Sequence, residues 1–238
     1  MATNDRIEAR LAVTAAVTVR NGADYLTESL GAILRQTRPV DEILVVDGHS
    51  TDDTVAIAKS LGARVVVQPG RGIPDGYNTA VREATHPVIA FCSHDDRWEP
   101  NKIEVQLGHL ELHPAIAFSH AHFIYETEPG WRPPPGFDPK LLGRVLPGPF
   151  METLVARRTV FDLIGGFDSA FPTGHDVDWL ARAHDAGLES VMLTEVLLRK
   201  RLHESNASLN AADTRGELLG ALRRSIKRKQ EGRQQPRE

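Results

Sequence analysis

The chain has 238 residues, 41% apolar and 25% charged, with a formal net charge of −4 at pH 7, proportions of a soluble globular protein of one large domain or two small ones. Its single cysteine, Cys92, excludes a disulfide framework and a cysteine zinc site and points to a reducing, cytoplasmic setting. The apolar run LAVTAAVTV is too short to span a bilayer, and residues 1–10 lack the layout of a signal peptide.

Residues 12–19 read as a strand, after which Tyr25, Leu26, Leu30, Ile33 and Leu34 recur at helical spacing. Residues 42–46 predict a second strand. Ser50 with Asp53 predicts a capping box opening a helix that Leu61-Gly62 closes. A third strand is expected over 64–67, a helix over 74–84 and a fourth strand over 87–91. Asn101 with Glu104 caps a helix running to about Leu112. This strand–helix alternation predicts a mostly parallel sheet flanked by helices, an α/β half over about 10–113.

The second half, 114–210, is less regular. Residues 115–124 read as a strand. Residues 126–149 are rich in Pro and Gly around Trp131 and Phe137 and too long for an ordinary connection, so they form a functional loop or are disordered. Residues 150–156 predict a strand, 159–164 a short helix, and Thr173 with Asp176 a capping box leading a helix to about Gly187. Residues 191–202 read as one or two strands. The domain is expected to end at 214, followed by a basic tail over 215–238 with eight Lys/Arg against three Asp/Glu. Its trio Leu218, Leu222 and Ile226 predicts a docking stripe, and its cations allow peripheral contact with an anionic surface.

Ligands of open parallel sheets bind outside the carboxyl ends of the strands. Three strand ends carry polar groups: Arg20-Asn21 after VTV, Asp47 after ILVV, and Ser93-His94-Asp95-Asp96 after VIAF. Carboxylates there can hold Mg²⁺ or Mn²⁺, which completes its shell with phosphate oxygens, so a nucleoside diphosphate is the natural ligand. Each acid also has a bland reading. Asp95 and Asp96 can open a turn, Asp47 can cap one, and Asp176 is favoured at a helix start for its charge alone. Neither GxGxxG nor GxxxxGK[ST] is present, which removes support for a dinucleotide fold or a phosphate-loop NTPase. A nucleotidyltransferase would need a richer Gly and Arg/Lys segment than VTVRNGADYL provides. The basic residues cluster in the tail with no interleaved aromatics, so no nucleic-acid partner is expected.

Taken in order, NGADYLTESLGAILRQT, EILVVDGHSTDDT, QPGRGIPDGYNTAV and VIAFCSHDDRWEPNKIEVQL resemble family 2 glycosyltransferases, which have the A-type nucleotide-sugar transferase fold. GGFDSAF, GHDVDWLARA and RKRLHESNAS extend the likeness to about residues 12–210. The resemblance implies an inverting transfer from a nucleotide-diphospho-sugar, commonly a UDP-sugar, to an acceptor of unspecified class: a glycan, a lipid-linked molecule, a peptide or a small molecule. It assigns base reading to Asp47, with Gly48 where a second Asp is frequent and His49 where Gly is usual. Thr18, Arg20, Asn21, Arg71, Asn78, Ser93 and His94 would line the donor cleft. Asp95 and His203 would hold Mn²⁺ or Mg²⁺, although Ser93 stands where the metal motif has its first acid. Asp176 would be the general base, and His175, which replaces a Glu, would lie on the acceptor side with Asp178 and Trp179. The substitutions at Ser93 and His175 leave a second function open, a module that binds a nucleotide sugar or a partner without turnover.

Overall fold

The computed structural model describes residues 10–134, 137–204, 206 and 214–234. Its strands are β1 (Val13–Val19), β2 (Glu42–Asp47), β3 (Arg64–Val67), β4 (Val88–Ser93), β5 (Arg97–Trp98), β6 (Phe118–Thr127), β7 (Leu146–Pro147), β8 (Val155–Arg157) and β9 (Ser190–Leu202). The helices are α1 (Ala23–Leu34), α2 (Thr54–Ser60), α3 (Ile73–Glu83), α4 (Lys102–Leu112), α5 (Thr159–Ile164), α6 (His175–Asp185) and α7 (Thr214–Gln234). The strands form one sheet in the order β3-β2-β1-β4-β8-β6-β9-β5, with β7 pairing β6. β3, β2, β1, β4, β6 and β9 share a direction, and β8, β5 and β7 run against it. The expected α/β class and flanked, mostly parallel sheet are therefore present.

β1 is buried on both faces, as a central parallel strand must be. Alternate residues feed two cores. Ala15 and Val17 pack with Leu26, Leu30 and Ile33 of α1 and Ile103 and Leu107 of α4. Ala16 and Phe91 pack on the other face with Tyr77 of α3, Phe161 of α5 and Trp179 of α6. Trp179 is fully buried there against Phe118 and Phe161, so the structure moves it from the expected acceptor side into the core.

None of the three capping boxes forms. Ser50 Oγ accepts from Asn21 N instead, and α2 begins only after Asp53. Glu104 takes the Thr37 hydroxyl, while Ile103 N donates to Gln36 Oε1. At α6, Glu217 Oε2 from α7 accepts from Thr173 N at 2.9 Å and Gly174 N at 2.6 Å. In each case a distant group satisfies the orphan amides or draws the expected partner away. The segment read as a strand over 150–156 divides into a 3₁₀ turn, Met151–Thr153, and the short β8.

The basic tail is largely the helix α7, packed on α6. Asp185 of α6 receives Ser225 Oγ and Arg228 Nε, each at 2.9 Å, and the Arg224 guanidinium lies 4.5 Å from the Phe171 ring centre. Ala221 is buried in this contact. Leu218, Leu222 and Ile226 are not: the stripe read as a docking face is exposed, and polar residues with Ala221 make the contact instead.

Candidate functional site

Sheet register sets the site. Val19 pairs with Asp47 and Thr18 with Ser93, so the polar ends of β1, β2 and β4 share one carboxyl edge. The loops beyond are stitched together. Asn21 Oδ1 accepts from Thr51 N at 2.8 Å, and Asp47 Oδ2 accepts from Ser50 N at 3.1 Å. His49 Nε2 meets Gly70 O at 3.1 Å. Asn21 and His49 have φ of 51° and 65°, a left-handed conformation costly for residues other than glycine. That explains why the expected pattern places Gly where His49 stands. The His94 ring lies against Gly22, where an added Cβ would fall 2.4 Å from it. Burial lowers the His94 pKa, which favours the neutral ring.

Asp95 is the node at the end of β4. Its Oδ2 accepts from His203 Nε2 at 3.0 Å and Asn206 Nδ2 at 3.1 Å. Its Oδ1 is buried and accepts no hydrogen bond among the described residues. Burial pushes this carboxyl up, but the His203 hydrogen bond and the nearby Lys200 charge more than offset it and hold it below the ordinary range. Asp96, read in the sequence as a second oxygen donor, faces the other way. It is fully buried and takes Lys200 Nζ at 3.1 Å and Arg201 N at 3.0 Å. Arg201 also donates to the Asp95 carbonyl at 3.0 Å, pairs with Glu28 and Glu128, and lies 5.0 Å from the Tyr25 ring, which stacks on His203.

Asp176 sits at the start of α6, half-buried, with Oδ1 accepting, among the described residues, only from Val177 N at 2.7 Å. Burial raises its pKa, and the Glu152 charge adds to that against the opposing His175. His175 is buried among Tyr77 and Phe167, at ring distances of 5.4 and 5.9 Å, with Nδ1 unpartnered among the described residues. It is therefore packed into the aromatic core rather than open to an acceptor. Asp178 is buried as well, with Oδ2 held by Arg182 Nε at 2.8 Å. Asn78 spends its amide on the Phe167 backbone, donating to O at 2.8 Å and accepting from N at 2.7 Å, so it clamps α3 to the approach to α6. Arg20 and Arg71 stand exposed beside the donor loops.

The family model for glycosyl transferase family 2 matches residues 14–168. The chain belongs to that family. This glycosyltransferase is 27% identical over 237 residues to an uncharacterized glycosyltransferase of Rickettsia prowazekii, covering 90% of this chain and 72% of the relative. Its fold matches Staphylococcus aureus TarS 1-349 in complex with UDP-GlcNAc, with a TM-score of 0.70 and 17% identity over 92% of this chain and 66% of that one. It also matches mannosyltransferase PcManGT from Pyrobaculum calidifontis in complex with GDP-Man and Mn²⁺, with a TM-score of 0.69 and 18% identity over 92% of this chain and 65% of that one.

Asp95 suits a divalent cation in this glycosyltransferase, because a buried carboxylate oxygen without a donor has a lone pair to give. His203 Nε2 can serve the same ion once its proton is released. Among the described residues no cluster of three His, Cys, Asp or Glu can hold a metal unaided.

Two residues of this region escaped the sequence reading. Glu152 lies in the 3₁₀ turn, 3.6 Å from Lys200 Nζ. Lys200, 5.3 Å from the Phe150 ring, stands between Asp96 and Glu152; although burial lowers its pKa, those two charges raise it more, so it stays a cation. The basic run RKR at the end of β9 was the available signal for Lys200. Nothing in FMET signals the turn that presents Glu152.

Proposed function

We propose that the enzyme transfers a sugar, with inversion, from a nucleotide-diphospho-sugar to an acceptor hydroxyl, with Asp176 as general base. The observation that supports this best is the contrast between two carboxylates. Asp95 is held ionised as a ligand, while Asp176 is raised toward the range of a proton acceptor. Asp47, buried at the end of β2, reads the nucleobase, and a uridine donor is preferred over a guanosine one. Thr18, Asn21, Ser93 and His94 bound the donor, and Arg20 and Arg71 offer cations to the diphosphate.

Asp95 and His203 would hold the ion, Mn²⁺ or Mg²⁺, which when bound neutralises charge on the departing nucleoside diphosphate. Asp176 takes the proton of the acceptor hydroxyl as that oxygen attacks the anomeric carbon from the face opposite the leaving group. The nucleotide oxygen leaves with the bonding electrons, and the proton remains on Asp176 until solvent removes it. Phe137 meets Trp131 at 5.5 Å and Tyr125 of β6 at 5.6 Å, both edge to face, and these rings would give the acceptor side an aromatic wall. The enzyme would work in the cytoplasm.

Nucleotide release from UDP- and GDP-sugars by the purified chain, with and without Mn²⁺, tests the reading. Metal-dependent release from a uridine donor supports it. Metal-dependent donor binding without any release would favour the alternative that Ser93 and His175 suggest, a module that binds and does not turn over.

A further inference from the structure

Helix α7 turns its apolar residues away from the body. Leu218, Leu219, Leu222 and Ile226 are 40%, 54%, 56% and 47% exposed. At about 100° per residue they fall within one arc roughly 100° wide. The opposite side, with Glu217, Ala221, Arg224 and Arg228, holds the helix to the body, so the stripe is not what docks it. Single exposed apolar residues are ordinary; four on one arc of one helix mark a binding face.

Charge identifies the occupant. Arg223 and Lys227 are exposed just beyond Leu219 on the helix circumference, whereas Lys229 at the C-terminal end pairs with Asp185 of the body at 3.4 Å. Of the acids on α7, Glu217 is engaged at the start of α6, and Glu231 makes only an exposed 3.7 Å pair with Lys227 that neutralises little. From residue 215 the sequence carries eight Lys/Arg against three Asp/Glu, on a chain whose net charge is −4. A second copy would bring two sets of these cations together. An anionic lipid surface accepts both features, the apolar arc at the headgroup boundary and the cations on lipid phosphates. No helix among the described residues is long and apolar enough to cross a membrane, so α7 would lie on the surface.

We propose that α7 docks this protein on a bilayer rich in anionic lipid, with Leu218, Leu219, Leu222 and Ile226 entering the interface and Arg223 and Lys227 contacting headgroups. Glu217, one residue before the stripe, holds the start of α6 that carries Asp176.

The test is co-sedimentation of the full chain with phosphatidylcholine vesicles, with and without phosphatidylglycerol. It needs no catalytic activity, so it can fail independently of the glycosyl-transfer reading. Binding should require phosphatidylglycerol and weaken with salt. It should fall by at least about tenfold both in Leu222→Asp/Ile226→Asp and in Arg223→Glu/Lys227→Glu, with melting unchanged. Equal binding to neutral vesicles, no binding to either, or wild-type binding by either double variant overturns the proposal. So does a dimer seen by light scattering that Leu222→Asp/Ile226→Asp dissociates, which would make a second copy the occupant.

Discussion

In the donor half, β1, β2 and β4 deliver polar residues to one edge by register alone, and short loops bond directly to one another: Asn21 with Ser50 and Thr51, His49 with Gly70. Where the two halves meet, and in the acceptor half, side chains from distant parts of the chain do the placing. Arg201 and Lys200 anchor the end of β4 from the end of β9, and Glu217 of α7 holds the start of α6. The comparison shows two ways to fix a carboxylate. Asp95 is fixed by hydrogen bonds that keep it charged, whereas Asp176 has one local bond and a partly desolvated position that raises it. The roles proposed for them, ligand and base, call for these opposite environments.

The largest effect is expected in the donor half. Asp95→Ala removes the oxygen without a donor and leaves His203 with less to hold, so transfer should fall by about 10³-fold or more, with loss of metal-dependent nucleotide binding by calorimetry. Full Mn²⁺ dependence in that variant would put the ion elsewhere. Lys200→Met probes the link between the halves. It leaves Asp96 buried without its cation and should cost about 3–5 kcal/mol in chemical denaturation; a loss under about 1 kcal/mol would show that the pair anchors nothing. Asp47→Ala should weaken UDP binding by about 1.5–3 kcal/mol and spare the fold, the range for a hydrogen bond to a charged group. Unchanged UDP affinity would remove Asp47 from base reading.

The smallest effect belongs to the acceptor half. Glu217→Ala frees two amides at the start of α6 and should cost about 1 kcal/mol in thermal melting, the usual worth of such a cap. It should also lower the transfer rate more than donor affinity, because it loosens the element that carries Asp176 and touches no donor loop. Equal loss of both would mean that the two halves are not independently built. The sequence places the end of the domain at 214, yet Glu217 and Ser225 beyond it hold α6, so truncation there should be costly to α6.

The sequence made the donor half legible because parallel strands announce themselves as unbroken apolar runs ending in polar residues, as ILVV does before Asp47. Asp95 and His203, far apart in sequence, were legible as a pair only through the family resemblance, and they lie in hydrogen-bond contact. Trp179 and Asp178 follow Asp176 in one motif, yet helical geometry turns them into the core, a point that adjacency in sequence conceals. The capping boxes failed for a related reason. Local pattern identifies a side chain able to cap, but a tertiary acceptor such as Glu217 reaches the amides first. The stripe on α7 was visible as periodicity, and periodicity does not say which side faces the protein.

The division of labour between the carboxylates is tested most directly by Asp176→Asn, assayed side by side for donor binding and for transfer to the true acceptor. Asn is nearly isosteric and well tolerated at helix starts, so melting, UDP affinity and Mn²⁺ dependence should stay as in the wild type. Transfer should fall by roughly 10²–10⁴-fold, the usual contribution of a positioned general base. In the wild type, kcat/KM should rise with pH through a limb set above the ordinary carboxylate value, because the base works deprotonated and burial raises it. That limb should vanish in the variant. Retention of more than about a tenth of the transfer rate, with the limb intact, would contradict the assignment of Asp176 as base.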